Sequence, residues 1–187
     1  MPNIALNILY AFILFIPGFV ANPLAVVTGG HFPMDFGRKF FDGRRIFGDG
    51  KTWSGYFGGS LLGILAGSVL ALIFHFSGFI ALNGFGGSVQ EVLVTLAAMS
   101  FGSLTGDVAG SFVKRRINIP RGGKGSLLDM WPFVLVSFLF LYLFSRTFFM
   151  EYYGNIIGAL TILLVTPPLH RAVNIIGFKM KKKDVPW

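Results

Sequence analysis

The sequence predicts an all-α integral membrane protein with five transmembrane helices, its N-terminus outside and two basic cytoplasmic loops. Three observations carry this. Hydrophobic side chains make up 53% of the 187 residues and charged ones only 13%, about half the share in ordinary soluble domains. Five apolar stretches approach the roughly 20 residues needed to cross about 30 Å of hydrocarbon. The basic residues collect in alternate connections. So apolar a surface cannot be covered in water by so few charges, which excludes a soluble enzyme and a disordered chain. With no cysteine, disulfide scaffolds, thiolate chemistry and Cys-based metal sites are excluded as well.

A single membrane domain is expected over residues 1–187. The first span, residues 4–27, has no Lys or Arg before its apolar run and so does not read as a cleaved signal peptide. Pro17 and Pro23 should bend or interrupt it. Loop 1, residues 28–54, carries Arg38, Lys39, Arg44, Arg45 and Lys51. The second span, residues 55–79, repeats Gly55, Gly59, Gly63 and Gly67 on one stripe, and the third, residues 89–113, repeats Gly102, Gly106 and Gly110. Small residues at this spacing let helix backbones approach in lipid, and the stripes suit packing within the chain or between copies equally. Loop 2, residues 80–88, is uncharged, whereas loop 3, residues 114–130, holds Lys114, Arg115, Arg116, Arg121 and Lys124. The fourth span covers residues 131–149, with Pro132 in its first turn. The fifth covers residues 156–178, with Pro167 and Pro168 inside, and a basic tail follows over residues 179–187. Loop 1, loop 3 and the tail fall on one face and hold fourteen of the sixteen basic residues. The positive-inside rule assigns that face to the cytoplasm.

The acids sort to the same end. Asp107 lies within the third span, where an isolated carboxylate costs several kcal/mol and marks a functional position by default. Ser103, Asp107, Ser111 and Lys114 share a helical face that descends to loop 3. Loop 1 alternates Asp35, Asp42 and Asp49 with its five basic residues among several glycines. Such a string suits phosphates and the hard divalent cation that neutralises them, with Asp-Gly turns whose N–H groups cup anionic oxygens. Gly50-Lys51-Thr52 is not a P-loop, because the glycine required five residues earlier is Arg45; Lys51 and Thr52 remain phosphate contacts. His31, His75 and His170 show no metal-ligand spacing. His170 and Arg171 either reach the cytoplasmic cavity or anchor at the interface.

Gly106-Asp107, Ser111 and Lys114-Arg115 together resemble the core signature of membrane cytidylyltransferases that make CDP-diacylglycerol. Asp35-Phe36-Gly37-Arg38-Lys39 through Gly48-Asp49-Gly50-Lys51-Thr52-Trp53 resembles the archaeal branch, the CDP-archaeol synthases. So do Ala21-Asn22-x-Leu24-x-Val26 and Ile119-Pro120-Arg121-Gly122. Asp129 corresponds to the first Asp of the bacterial run, whose His, Arg and second Asp are absent here. The resemblance implies transfer of a cytidylyl group from CTP to 2,3-bis-O-geranylgeranyl-sn-glycerol 1-phosphate, releasing pyrophosphate, with Mg²⁺. Asp107 and Asp129 would hold the metal, aided by Asp35 or Asp49. Arg38, Lys39, Arg44, Arg45, Lys51 and Thr52 would grip the triphosphate. Asn22 would read the base or join the metal shell. Lys114 and Arg115 would act at the reacting phosphates, and Ser111, Arg116 and Arg121 would meet the lipid phosphate. Membrane lipids are further expected contacts, an oligomer through the glycine stripes is possible, and no nucleic-acid partner is expected. The alternative is a small anion transporter or channel with a basic cytoplasmic funnel, which requires polar groups along a whole transmembrane route. Here polarity stops at mid-span.

Overall fold

A computed structural model describes residues 3–77, 84–120, 123 and 127–181. Eight helices account for most of them: α1 (Ile4–Leu14), α2 (Ile16–Thr28), α3 (Trp53–Ser77), α4 (Val89–Arg116), α5 (Leu127–Met130), α6 (Pro132–Phe144), α7 (Arg146–Tyr152) and α8 (Ile156–Lys179). Among the described residues there is no strand, only two isolated bridges inside loop 1, Pro33 with Thr52 and Lys39 with Arg45.

Four units are long and apolar enough to cross a membrane: Ile4–Thr28, Trp53–Ser77, Val89–Arg116 and Ile156–Lys179. The chain is a multi-pass membrane protein. The expected fourth span differs. Its helix α6 has 13 residues, about 20 Å of rise, and stops at Ser145, where α7 starts on a new course. Ser145 leaves helical geometry at φ −140°, ψ 57°, and its hydroxyl pairs with that of Thr95 on α4 at 2.5 Å. The apolar run through Phe148 and Phe149 hid this break.

Proline acts less sharply than expected. The first span pauses only at Phe15, whose N–H turns back to the carbonyl of Phe12 at 3.2 Å. Pro17 then sits in the opening turn of α2, where its missing donor costs nothing. Pro23 leaves α2 continuous, and Pro167 and Pro168 leave α8 continuous.

The glycine stripes are occupied within the chain. A Cβ at Gly59 would stand 2.7 Å from the Ala21 carbonyl of α2, and one at Gly55 would stand 2.8 Å from that of Ala25. A Cβ at Gly102 would meet the Ser137 Cα of α6 at 2.7 Å, and one at Gly110 the Leu128 carbonyl at 2.6 Å. Helix α4 is thus held between α2 and α3 on one side and α6 on the other. These glycines pack against neighbouring helices of the same chain. An aromatic cluster closes the opposite end of the bundle. Phe15, Phe138 and Phe148 surround the buried Tyr153 at 5.0–5.8 Å, and the Tyr153 hydroxyl donates to the Ala11 carbonyl at 3.1 Å.

Candidate functional site

Loop 1 is a folded unit built around one carboxylate. Asp35 is buried, and its Oδ1 accepts from the Gly37 N–H (3.1 Å) and Arg45 Nη2 (2.6 Å). Its Oδ2 accepts from the N–H groups of Phe47 and Gly48 (3.0 and 2.9 Å) and from Arg45 Nε (3.2 Å). Burial pushes this carboxyl up, but the Arg45 guanidinium and the three backbone donors outweigh it and hold it below the usual carboxylate range. Arg45 also pairs with Asp49 at 2.7 Å, and the two acids keep its guanidinium charged beyond its ordinary range. The lone pairs of Asp35 are taken up inside the loop, and Arg45 is held between Asp35 and Asp49 as a strut.

A second clamp fixes the loop to the end of α4. The Arg116 guanidinium carbon lies 4.9 Å from the ring centroids of both Phe40 and Phe112. Its nitrogens reach Asp42 at 3.1 Å and the Arg45 carbonyl at 2.5 Å. Arg44 donates to the carbonyls of Arg115 and Arg116, and Arg115 to those of Phe47 and Ile119. Arg116 and Arg44, expected on lipid phosphate and triphosphate respectively, each donate to backbone carbonyls of the chain, while Arg116 Nε and Nη1 are buried without a hydrogen-bond partner. Thr52 is likewise committed, its hydroxyl accepting from the Gly55 N–H at 3.2 Å to cap α3. Arg38 and Lys39 are exposed on the loop. Ser111 is buried on α4, and Arg121 lies outside the described residues.

What the loop and helices bring together is a cleft beneath them. Lys51 Nζ meets Asp107 Oδ2 at 2.5 Å, joining loop 1 to α4, and Lys114 pairs with Asp129, joining α4 to α5. Asn22 comes in from α2. Its Nδ2 donates to Ser103 Oγ at 3.0 Å, and that hydroxyl donates to the Gly18 carbonyl at 2.8 Å. The Asn22 Oδ1 is buried without a hydrogen-bond partner. Asn22, Lys51 and Asp107 stand between two cavities. One, of about 60 Å³, lies under loop 1 against Thr52, Tyr56 and Leu104. The other, of about 130 Å³, opens toward α8 and also takes in Asp129, Phe133, His170 and Asn174. Sequence reasoning left His170 undecided and missed Asn174. Its signal was the i, i+4 spacing from His170 on one helical face.

Among the described residues no three His, Cys, Asp or Glu side chains gather into a ready-made metal cage. Magnesium does not demand one: it is commonly bound by one or two carboxylates, water and substrate phosphates. Asp107 and Asp129 on one cavity, with the unsatisfied Asn22 oxygen beside them, fit that donor set.

Comparisons with known proteins identify the family. A family model described as "CarS-like: CDP-archaeol synthase" matches residues 3–187. A CDP-archaeol synthase of Picrophilus torridus is 57% identical over 187 residues, covering 100% of both chains. One of Pyrococcus abyssi is 41% identical over 177 residues, covering 95% of this chain and 96% of its own. A solved structure, described as an intramembrane enzyme for archaeal membrane lipids biosynthesis, superposes with a TM-score of 0.63 at 37% identity. It covers 90% of this chain and 94% of its own. The chain belongs to the CDP-archaeol synthase family, and with it to the CTP-dependent nucleotidyltransferases.

Proposed function

We propose that the cleft transfers the cytidylyl group of CTP to 2,3-bis-O-geranylgeranyl-sn-glycerol 1-phosphate, giving the CDP-activated lipid and pyrophosphate on the cytoplasmic face. The observation that carries this reading is the convergence of Asp107, Asp129 and Lys51 on one cleft at the basic end of the bundle. A phosphate monoester is largely dianionic near neutral pH, so the attacking oxygen needs no base to remove a proton. The barrier is repulsion between that dianion and the nucleotide, and fixed positive charge lowers it.

Asp107 and Asp129, with the Asn22 oxygen, are the residues that would hold Mg²⁺, which when bound neutralises triphosphate oxygens. Lys51 holds a phosphate oxygen of the nucleotide at the boundary of the two cavities. Lys114, paired with the cavity residue Asp129, and Arg115 would attract pyrophosphate, with the exposed Arg38 and Lys39 as outer contacts. Loop 1, stiffened by Asp35 and Arg45, keeps Lys51 in register, so that the reactants meet in line without reorganising the backbone.

The concentration of basic residues at this end supports a cytoplasmic site and an outside N-terminus through the positive-inside rule. The test is incubation of the purified protein with Mg²⁺, the prenylated glycerol phosphate and each nucleoside triphosphate in turn. Pyrophosphate release with CTP and no other nucleotide is expected; failure of CTP to give any release, or equal release with ATP, overturns the reading.

A further inference from the structure

We propose that Phe41, at the tip of a turn in loop 1, inserts into the interfacial layer of the protein's own membrane and anchors the loop from its outer side. The inference stands apart from the catalytic reading above, because it concerns a side chain outside the cleft and its test needs no turnover.

Residues 40–44 form a closed turn. The Phe40 N–H donates to the Arg44 carbonyl at 2.7 Å, and the Gly43 N–H donates to the Phe40 carbonyl at 2.9 Å. Gly43 has φ 76°, a conformation that glycine adopts without strain. At the tip, Phe41 is 90% exposed, the highest value among the described large apolar residues. The turn is held firmly all the same, since Arg116 pairs with Asp42 and Arg44 donates to the carbonyl of Arg115. A clamped turn that keeps a phenylalanine clear of the protein presents that ring to a membrane or a partner.

The level of the ring follows from α4. Phe41 lies 4.2 Å, centroid to centroid, from Phe40, and Phe40 lies edge-on to Phe112 at 5.4 Å. Phe112 precedes Arg116 by four residues, about 6 Å of rise. The stack therefore stands beside Lys114, Arg115 and Arg116, which close this membrane-spanning helix. Basic residues at the ends of a span mark the boundary between hydrocarbon and water. Along the same stretch Ala109, Val113 and Ile117 are exposed at four-residue intervals, one apolar row on the outside of the helix. The rings run outward from the residue next to Val113, so the tip continues that row. A ring so placed reaches the bilayer without any other molecule being recruited.

Charge around the tip suits the same occupant. Asp42, the acid beside Phe41, is paired with Arg116 at 3.1 Å, and its Oδ1 accepts from the Arg44 N–H at 3.1 Å. No unpaired carboxylate is thus carried toward anionic headgroups. Lys39 and Arg44 flank the turn and are exposed, and cations beside an inserted aromatic are favoured at a headgroup layer. Loop 1 is then held from two sides, by Arg116 within the protein and by Phe41 in the bilayer.

The chain has no cysteine, so Phe41→Cys places a single nitroxide spin label on the full-length protein. The exposure of Phe41 means that this change removes nothing from the core. In vesicles of phosphatidylcholine and phosphatidylglycerol, the label should relax more through collisions with oxygen, which concentrates in the bilayer, than through a water-soluble nickel chelate. Its ratio should fall between that of a label at Val113→Cys and that of free label in buffer. Nickel access equal to that of free label means that the tip stands in water, and overturns the proposal. Low access to both reagents means that protein covers the tip, and overturns it as well.

The unlabelled thiol removes any pull that the label itself has toward lipid. A charged, membrane-impermeant thiol reagent, present on both sides of the bilayer, should modify Phe41→Cys several-fold more slowly than the same cysteine in a peptide of residues 38–46. Equal rates would overturn the anchor whatever the spin label reports.

Discussion

Lys51 and Asp107 stand 56 positions apart in the chain, yet their side chains meet at 2.5 Å, and the cavities on either side of them define the reaction space. One residue lies near the end of loop 1 and the other inside the continuous helix α4, so neither can move without the other registering it. Lys51→Met and Asp107→Asn should each lower CTP-dependent pyrophosphate release by roughly 10²- to 10³-fold, as for loss of a preorganised charge. The double variant should lose much less than the product of the two, which a double-mutant cycle measures.

Asp35 should matter for folding of the loop more than for chemistry. Asp35→Asn leaves Arg45 without its main partner and should cost about 2–4 kcal/mol of local stability, read as faster hydrogen exchange in residues 34–50. Partial activity should survive at saturating CTP.

Acid should undo the same unit. The folded Asp35 carboxyl lies below its ordinary value of 3.8, so the folded state binds fewer protons than the unfolded one. Its stabilisation is complete above that ordinary value and declines as the pH falls below it toward the folded one. Protection of loop 1 amides, measured against their intrinsic exchange rates, should fall below about pH 4 in the wild type and show a weaker pH dependence in Asp35→Asn.

Arg116→Lys keeps the charge but loses the planar contact with Phe40 and Phe112 and the fork that reaches Asp42 and the Arg45 carbonyl. Limited proteolysis should cut loop 1 several-fold faster in this variant. KM for the lipid should change no more than KM for CTP, because Arg116 secures the loop and not a substrate.

Gly106→Ala should separate α4 from α6. A Cβ there overlaps the Pro132 carbonyl and approaches the Phe133 Cα at 2.5 Å, and backbone cannot yield as a side chain end can. A loss of about 1–3 kcal/mol, seen as a lower Tm in detergent, should accompany reduced activity, since α5 and Asp129 adjoin the displaced segment.

The chain's class and the basic end were legible because each depends on residue type and spacing alone. Lipid solvent forces long apolar helices, and a carboxylate among them needs a reason. The division of labour among the charges in loop 1 was not legible. Asp35 and Asp49 look alike in a list of residues, yet a turn brings the Phe47 and Gly48 N–H groups onto an Asp35 oxygen, while Asp49 is tied only through Arg45. Arg116 read as a phosphate ligand because nothing in its local sequence marks Phe40, 76 positions away, as the ring it lies over. The stop of α6 at Ser145 depends on a hydroxyl from another helix, Thr95, which periodicity cannot anticipate. His170 and Asn174 carried a local signal in their spacing, but what they face is set by packing.

The clamp around Arg116 also bears on how the enzyme responds to ionic strength. Asp35, Asp49 and Asp42 neutralise Arg45 and Arg116 locally, whereas Arg44 and Arg115 are held by uncharged carbonyls and keep their full charge. With the exposed Arg38 and Lys39 they leave this end net positive, so added salt should slow capture of the anionic nucleotide.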